Sequence, residues 1–332
     1  MTTSTTTTTR SRAALLLALL LSAAAAALAP PAKRRAVQWL VPYENITTPA
    51  GYEAIWSQLK TNHRAGQNLY AASAYALKEN NASLGYATTP AGEAYYGLQM
   101  ELYGMPALRA LGLGDALLGM CYVTHSDAIA RMLADPSAFI AQLVAKADEQ
   151  QLAGYDIDYE PQGVAEAERL NGGAGATFMQ FLERLAAALA AKGKIVTIDI
   201  SGCPSSFGFD CAGVSNSSYL PGLALVNCED SFGAGDLNSI KQLQQSDGVA
   251  SALGARWASG WEPNNVGPTD FAAAMAYLAS PAACAAAGGI CPMAISTWAQ
   301  REWNNGAQPQ WLFDAINSFL DAPVPGSSGG DA

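Results

Sequence analysis

The sequence predicts an α/β chain built as a closed (β/α)8 barrel of the TIM-barrel type, on three observations. Eight short apolar runs with strand character alternate with segments of helical spacing along most of the 332 residues. One run, Gly154-Tyr155-Asp156-Ile157-Asp158-Tyr159-Glu160-Pro161, carries a carboxylate at every second position and stops at a proline. A buried parallel strand ending at a loop reads that way. The first run is followed by Pro42-Tyr43-Glu44-Asn45, which is not the glycine-rich phosphate loop of a doubly wound open sheet, the competing architecture.

Taken in order, residues 1–29 read as a signal peptide for export. They combine a threonine-rich start, Arg10 and Arg12, an apolar run over 13–29, and small residues suited to a signal peptidase near Ala27 or Ala29. An uncleaved membrane anchor flanked by Lys33, Arg34 and Arg35 is the alternative. The barrel is expected over 36–322, with a flexible Gly/Ser/Pro-rich tail over 323–332.

Within the barrel, 36–41 is the first strand, and 51–65 has helical spacing through Tyr52, Ile55, Trp56 and Leu59. The second strand is 68–77, followed by a polar loop through Asn80, Asn81 and Ser83. A helical pattern over 91–112 is interrupted by Gly104 and Pro106. The third strand is 116–123. Ser126 caps a short helix, and Asp135-Pro136 starts a longer one through Phe139, Ile140, Leu143, Val144 and Ala147.

The acidic run is then the fourth strand. A periodic helix over 177–191 stops at Gly193, and 195–201 is the fifth strand, leading to a loop with Cys203, Pro204, Phe207 and Cys211. Residues 223–228, 255–261 and 293–298 are the sixth to eighth strands, with helices over 236–245, 270–286 and 309–320.

Composition narrows the function. Hydrophobic residues make up 50% and charged residues 14%, enough for a large core, and the formal charge of −10 excludes the basic surface that nucleic acid requires. Six cysteines suit an exported protein: Cys203 with Cys211 and Cys284 with Cys291 are spaced to staple short loops, while Cys121 and Cys228 sit in strands as buried thiols. Asn45, Asn81 and Asn216 begin glycan acceptor tripeptides. Two histidines cannot build a His-rich metal centre, no G-x-S-x-G elbow occurs, and no cofactor is implied.

The chemistry lies in the acidic run. In a strand, alternate side chains share a face at a spacing of about 6.7 Å, so Asp156, Asp158 and Glu160 form a row while Tyr155, Ile157 and Tyr159 point the other way. In such a barrel the C-terminal strand ends form the mouth, which puts Glu160 there and the two aspartates in layers beneath. Three acids so close cannot all ionise. At least one proton is shared, which raises the group toward the range of a general acid.

These residues resemble the signature D-G-x-D-x-D-x-E of glycoside hydrolase family 18, the chitinase-like family. Gly154, Asp156, Asp158 and Glu160 match; Ala153 replaces the first Asp, and Tyr159 stands where the family often has Trp. The resemblance implies Glu160 as general acid and then base, Asp158 as the group orienting the substrate acetamide, and Asp156 as its proton-sharing neighbour. It also implies retaining hydrolysis of β-1,4-linked N-acetylglucosamine, with the substrate's own acetamide as nucleophile. Trp298, ending the eighth strand, matches the family's tryptophan at the pocket floor, where its indole stacks on sugar.

Elsewhere the chain departs from that pattern. Cys228-Glu229-Asp230-Ser231-Phe232 falls where the family has M-x-Y-D, leaving Asp230 as the polar candidate for the acetamide, and Phe232 lacks a hydroxyl. The third strand, Leu117–Val123, lacks the S-x-G-G of many relatives. These departures favour the alternative of a chitinase-like lectin that binds without turnover; Glu160 favours the enzyme.

Tyr75, near the end of the second strand, is a further candidate for the sugar-binding wall. Trp257 and Trp261 share one face of their strand and fill either the pocket or the core. His125 reads as a solvated loop residue and Glu262 as a possible second carboxylate at the mouth. The expected partner is a glycan or polysaccharide containing N-acetylglucosamine, bound by a monomer, with a membrane involved only through an uncleaved anchor.

Overall fold

The computed structural model describes residues 33–43, 45–88, 95–161, 174–200, 222–228, 253–298 and 308–325. The expected elements over 1–29, 201–221 and 229–252 lie outside these, as do Cys203, Cys211, Asn216, Asp230 and Phe232.

The chain starts with β1 (Arg35–Leu40) and α1 (Pro49–Asn62), where Thr48 caps the helix by accepting from the Gly51 N–H at 3.2 Å and Pro49 occupies the first turn. Tyr52, Trp56 and Leu59 share the buried face of α1, as their spacing requires. β2 (Asn68–Leu77) follows, and then β3 (Leu84–Tyr86), which pairs antiparallel to it. The sequence has only a polar loop here: Asn80, Asn81 and Ser83 make the turn, and the three residues beyond it are held by pairing to β2.

The pattern over 91–112 resolves into α2 (Tyr95–Gln99), a π-helical turn over Met100–Gly104, and α3 (Met105–Ala110). Pro106 has no N–H to donate, so it sits in the first turn of a new helix rather than inside the old one. β4 (Leu117–Val123), α4 (Ser126–Ala134), α5 (Ser137–Glu149) and β5 (Gly154–Tyr159) come next. After them run α6 (Ala174–Ala190), β6 (Ile195–Ile200), β7 (Leu223–Cys228) and β8 (Trp257–Trp261).

A short α7 (Pro263–Val266) comes first, and the expected helix over 270–286 is two pieces, α8 (Pro268–Leu278) and α9 (Pro281–Ala286). Ser280 accepts from the Ala283 N–H and Pro281 begins the last piece, a start signal that ends the preceding helix. β9 (Ala294–Thr297) and α10 (Gln310–Asp321) complete the chain.

Eight strands form one parallel cylinder in the order β1, β2, β4, β5, β6, β7, β8, β9, and β1 closes it by pairing with both β2 and β9. Closure splits the core into two layers. Val37, Trp39, Ala71, Leu118, Met120, Leu225, Ala258 and Ala294 fill the interior. A larger layer lies between the strands and the helices.

The apolar face of the motif strand joins that outer layer, where Tyr159 stacks on Phe178 of α6 at 3.6 Å between ring centres. Burial of a side chain of this size contributes about 1.5–3 kcal/mol. Arg34 is 1% exposed and donates to the backbone carbonyls of Pro292, Ala279, Ala322 and Pro323, with its guanidinium over the Phe319 ring. A residue that reads in sequence as part of a positive flank thus ties the start of β1 to the end of α10.

Cys284 and Cys291 form the expected disulfide, and Cys121 and Cys228 are buried. Asn45 and Asn81 are exposed. No single helix among the described residues is long and apolar enough to cross a membrane.

Candidate active site

β5 carries the site, and Gly154 lets it be where it is. A Cβ at position 154 would lie 1.9 Å from the Ile195 carbonyl oxygen, so only glycine allows β5 to close on β6. Beyond it Asp156 and Asp158 face the barrel interior, at 0% and 4% exposure, and Glu160 follows the last strand residue at the C-terminal end, half-buried. The Glu160 N–H donates to the Val123 carbonyl oxygen at 3.3 Å, which anchors the backbone where the carboxylate leaves the strand.

Asp156 is held from three other strands. Trp39 Nε1 of β1 donates to its Oδ2 at 2.5 Å, Thr197 Oγ1 of β6 donates to its Oδ1, and Asn227 Nδ2 of β7 reaches the same oxygen at 3.3 Å. Asn227 Nδ2 also donates to Oδ1 of Asp199 at 2.5 Å, and the Asp199 carboxyl is itself within hydrogen-bonding reach of Asp156. Burial raises the Asp156 pKa, against the lowering effect of the hydrogen bonds with Thr197, Asp199 and Trp39.

Asp158 is treated differently. Its Oδ1 is buried and has no partner among the described residues. Burial first, then repulsion by Glu160 and by Asp156, raise its pKa well above the usual carboxylate range. Tyr122 lies beside it on β4, its hydroxyl donating to Ser73 Oγ at 3.0 Å, and burial keeps that phenol protonated.

Trp298 follows β9 at the same end of the barrel, and its ring meets Trp39 edge to face at 5.5 Å. The indole that holds Asp156 thus also supports the one that ends β9. Glu160, Asp158, Asp156 and Trp298 are brought to one end and its interior, but Tyr75 is not. The register shifts between Ser73 and Tyr75, an irregularity that turns Tyr75 out of the alternation followed by Leu69, Ala71 and Ser73. Tyr75 is 1% exposed in the outer layer, its hydroxyl donating to Glu101 at 2.8 Å and its ring meeting Tyr155. The expectation that it lines a sugar cleft is therefore corrected.

Trp257 and Trp261 also belong to the outer layer, where Trp261 meets Phe271 edge to face at 5.7 Å, so they fill the core. His125 is half-buried, with Glu79 at 3.1 Å from Nδ1. Glu262 precedes α7 and accepts from Asn265 Nδ2. No group of three or more potential metal ligands occurs among the described residues.

The sequence reading missed Trp39, Thr197, Asp199 and Asn227. Thr197-Ile198-Asp199 alternates as the motif does, and Asn227 interrupts an apolar strand at an inward position. A polar residue at such a position in a buried strand is the signal that could have found them.

No family model matches this chain, and no curated protein matches it. Among solved structures, it is similar to a class V chitinase from Pseudomonas fluorescens, with a TM-score of 0.57 at 14% identity over 86% of this chain and 99% of that one. A class V chitinase from Nicotiana tobaccum, solved in complex with NAG4, superposes with a TM-score of 0.55 at 10% identity over 88% and 100%. The spore cortex-lytic enzyme SleL of Bacillus megaterium gives 0.56 at 9% over 87% and 75%. At such identities the likeness is one of fold, and by fold this chain is a (β/α)8 barrel of the kind that these chitinases share.

Proposed function

We propose that this chain is a glycosidase of the chitinase-like family 18, cleaving β-1,4-linked N-acetylglucosamine with retention of configuration. The observation that carries the reading is the line of Asp156, Asp158 and Glu160 rising from the barrel interior to the C-terminal strand end, with an oxygen of Asp158 buried and unpartnered. A buried acceptor without a donor is costly unless a ligand completes it, and an acetamide N–H is a donor of the right kind.

In the reaction, the acetamide oxygen of the sugar attacks its own anomeric carbon while the bond to the leaving oxygen breaks and Glu160 gives that oxygen its proton. The oxazolinium so formed carries positive charge on nitrogen. The hydrogen bond from the acetamide N–H to Asp158 strengthens as that charge develops. Water then adds to the anomeric carbon, Glu160 takes a proton from it, and the ring nitrogen regains its acetamide form.

Trp298 supplies a flat apolar surface for a sugar ring, and Asp230 is proposed as the second acetamide contact. The NAG4 complex of the Nicotiana neighbour supports an N-acetylglucosamine oligosaccharide as the ligand class. Residues 1–29 are proposed to direct export and to be removed, leaving a monomer outside the cell or in an endomembrane lumen. The departures at Leu117–Val123 and at Phe232 favour the second reading, a lectin that keeps the cleft and has lost turnover.

A fluorogenic chitobiose or chitotriose substrate separates the two. Product release by the wild type, lost in Glu160→Gln with folding intact, is expected. Binding of chitin oligomers with no turnover would leave the lectin, and failure to bind any N-acetylated sugar would sink both.

A further inference from the structure

Asp199 is a fully buried carboxyl that the reaction above does not use. It is paired in register with Asp158 across β5 and β6, and it shares Asn227 Nδ2 with Asp156. Asp156 and Asp199 are themselves in hydrogen-bonding reach. Two carboxylates are both acceptors, so a hydrogen bond between them exists only if one holds a proton. The remaining donors to Asp156 come from Trp39 and Thr197, and none comes from Asp158, whose Oδ1 is unpartnered among the described residues.

We propose that Asp199 is a positioning residue: it shares a proton with Asp156, satisfies that carboxyl from the neighbouring strand, and so leaves Asp158 free to turn toward Glu160 and the substrate. The inference rests on the glycosidase reading for its consequence, but the shared proton itself does not. The titratable groups facing Asp199 are Asp156 and Asp158 on β5, with Tyr122 on β4 close enough to feel its charge; from β7 it is met by Asn227, which does not titrate. When the shared proton leaves at high pH, Asp156 becomes a competitor for the proton of Asp158. Asp158 is then drawn down and away from Glu160, and turnover falls.

Two variants of the full chain test this. Asp199→Ala removes the partner altogether, and Asp199→Asn keeps a donor that cannot ionise. With the fluorogenic chitotriose substrate at neutral pH, Asp199→Asn is expected to turn over at least about ten-fold faster than Asp199→Ala. Its alkaline limb is expected about one pH unit or more above that of the wild type. A limb in the same place for both proteins overturns the proposal, even if the alanine variant fails to fold.

Infrared spectroscopy of the carboxyl band at neutral pH needs no turnover. Wild type is expected to hold one more protonated carboxyl than Asp199→Asn, and equal numbers overturn the shared proton. A wild type that hydrolyses nothing but shows the extra proton refutes the enzyme reading and leaves the pair standing.

Discussion

Trp39 of the first barrel strand donates its indole N–H to Asp156 of the fourth across 2.5 Å, through the centre of the barrel. The bond joins strands three places apart in the cylinder, so it braces the barrel as well as the acid.

Replacing Trp39 by Phe keeps an aromatic ring and removes the donor. Asp156 then has one acceptor unmet in a fully buried site, which costs about 1–3 kcal/mol. Denaturant unfolding should show that loss, together with lower turnover. Unchanged stability would mean the bond carries no net energy.

Glu160→Gln removes the proposed proton donor at the mouth and little else, because the side chain is half-buried and follows the strand. Turnover of chitotriose is expected to drop by about 10²–10⁴-fold, with stability within about 0.5 kcal/mol of wild type. Calorimetric titration with chitin oligomers should show binding retained.

Asp158→Asn should change how stability depends on pH. An unfolded aspartate titrates near 3.9, and in the barrel Asp158 is raised well above that by burial, by Glu160 and by Asp156. Below about pH 3.9 the group is neutral folded and unfolded, so it carries no penalty. As pH rises from there through the folded value, the unfolded chain ionises freely, and the wild type loses stability that the asparagine variant keeps. Melting temperatures measured across pH should therefore diverge upward from the acid end in favour of the variant. Parallel curves would contradict a raised Asp158.

Gly154→Ala sets a methyl group against the Ile195 carbonyl, where neither backbone can yield without opening the pairing of β5 and β6. A loss of about 3 kcal/mol is expected in denaturant unfolding. An alanine variant as stable as wild type would show that the two strands have slack.

Tyr75→Phe separates a packing residue from a sugar contact. Its hydroxyl donates to Glu101, which also accepts from Tyr86 at 3.0 Å and has Lys146 at 3.7 Å. Stability should fall by about 1 kcal/mol while the KM for chitotriose stays unchanged. A raised KM would return Tyr75 to the cleft.

By itself the sequence determined the eight strands, the face on which the three acids stand, and Glu160 at a strand end. Each of these follows from local rules: period two in a strand, period 3.6 in a helix, and a proline or cap where the chain turns. Their reach is a few residues, and the motif spans only seven from Gly154 to Glu160.

Only the tertiary structure decided which other strands face those acids. Trp39, Thr197, Asp199 and Asn227 lie between 41 and 117 positions from Asp156 and meet it only because the cylinder closes with a particular register. One shift of that register, between Ser73 and Tyr75, was enough to send a tyrosine to the opposite face from the one its parity predicts. Pairing is a long-range property, so no local pattern encodes it.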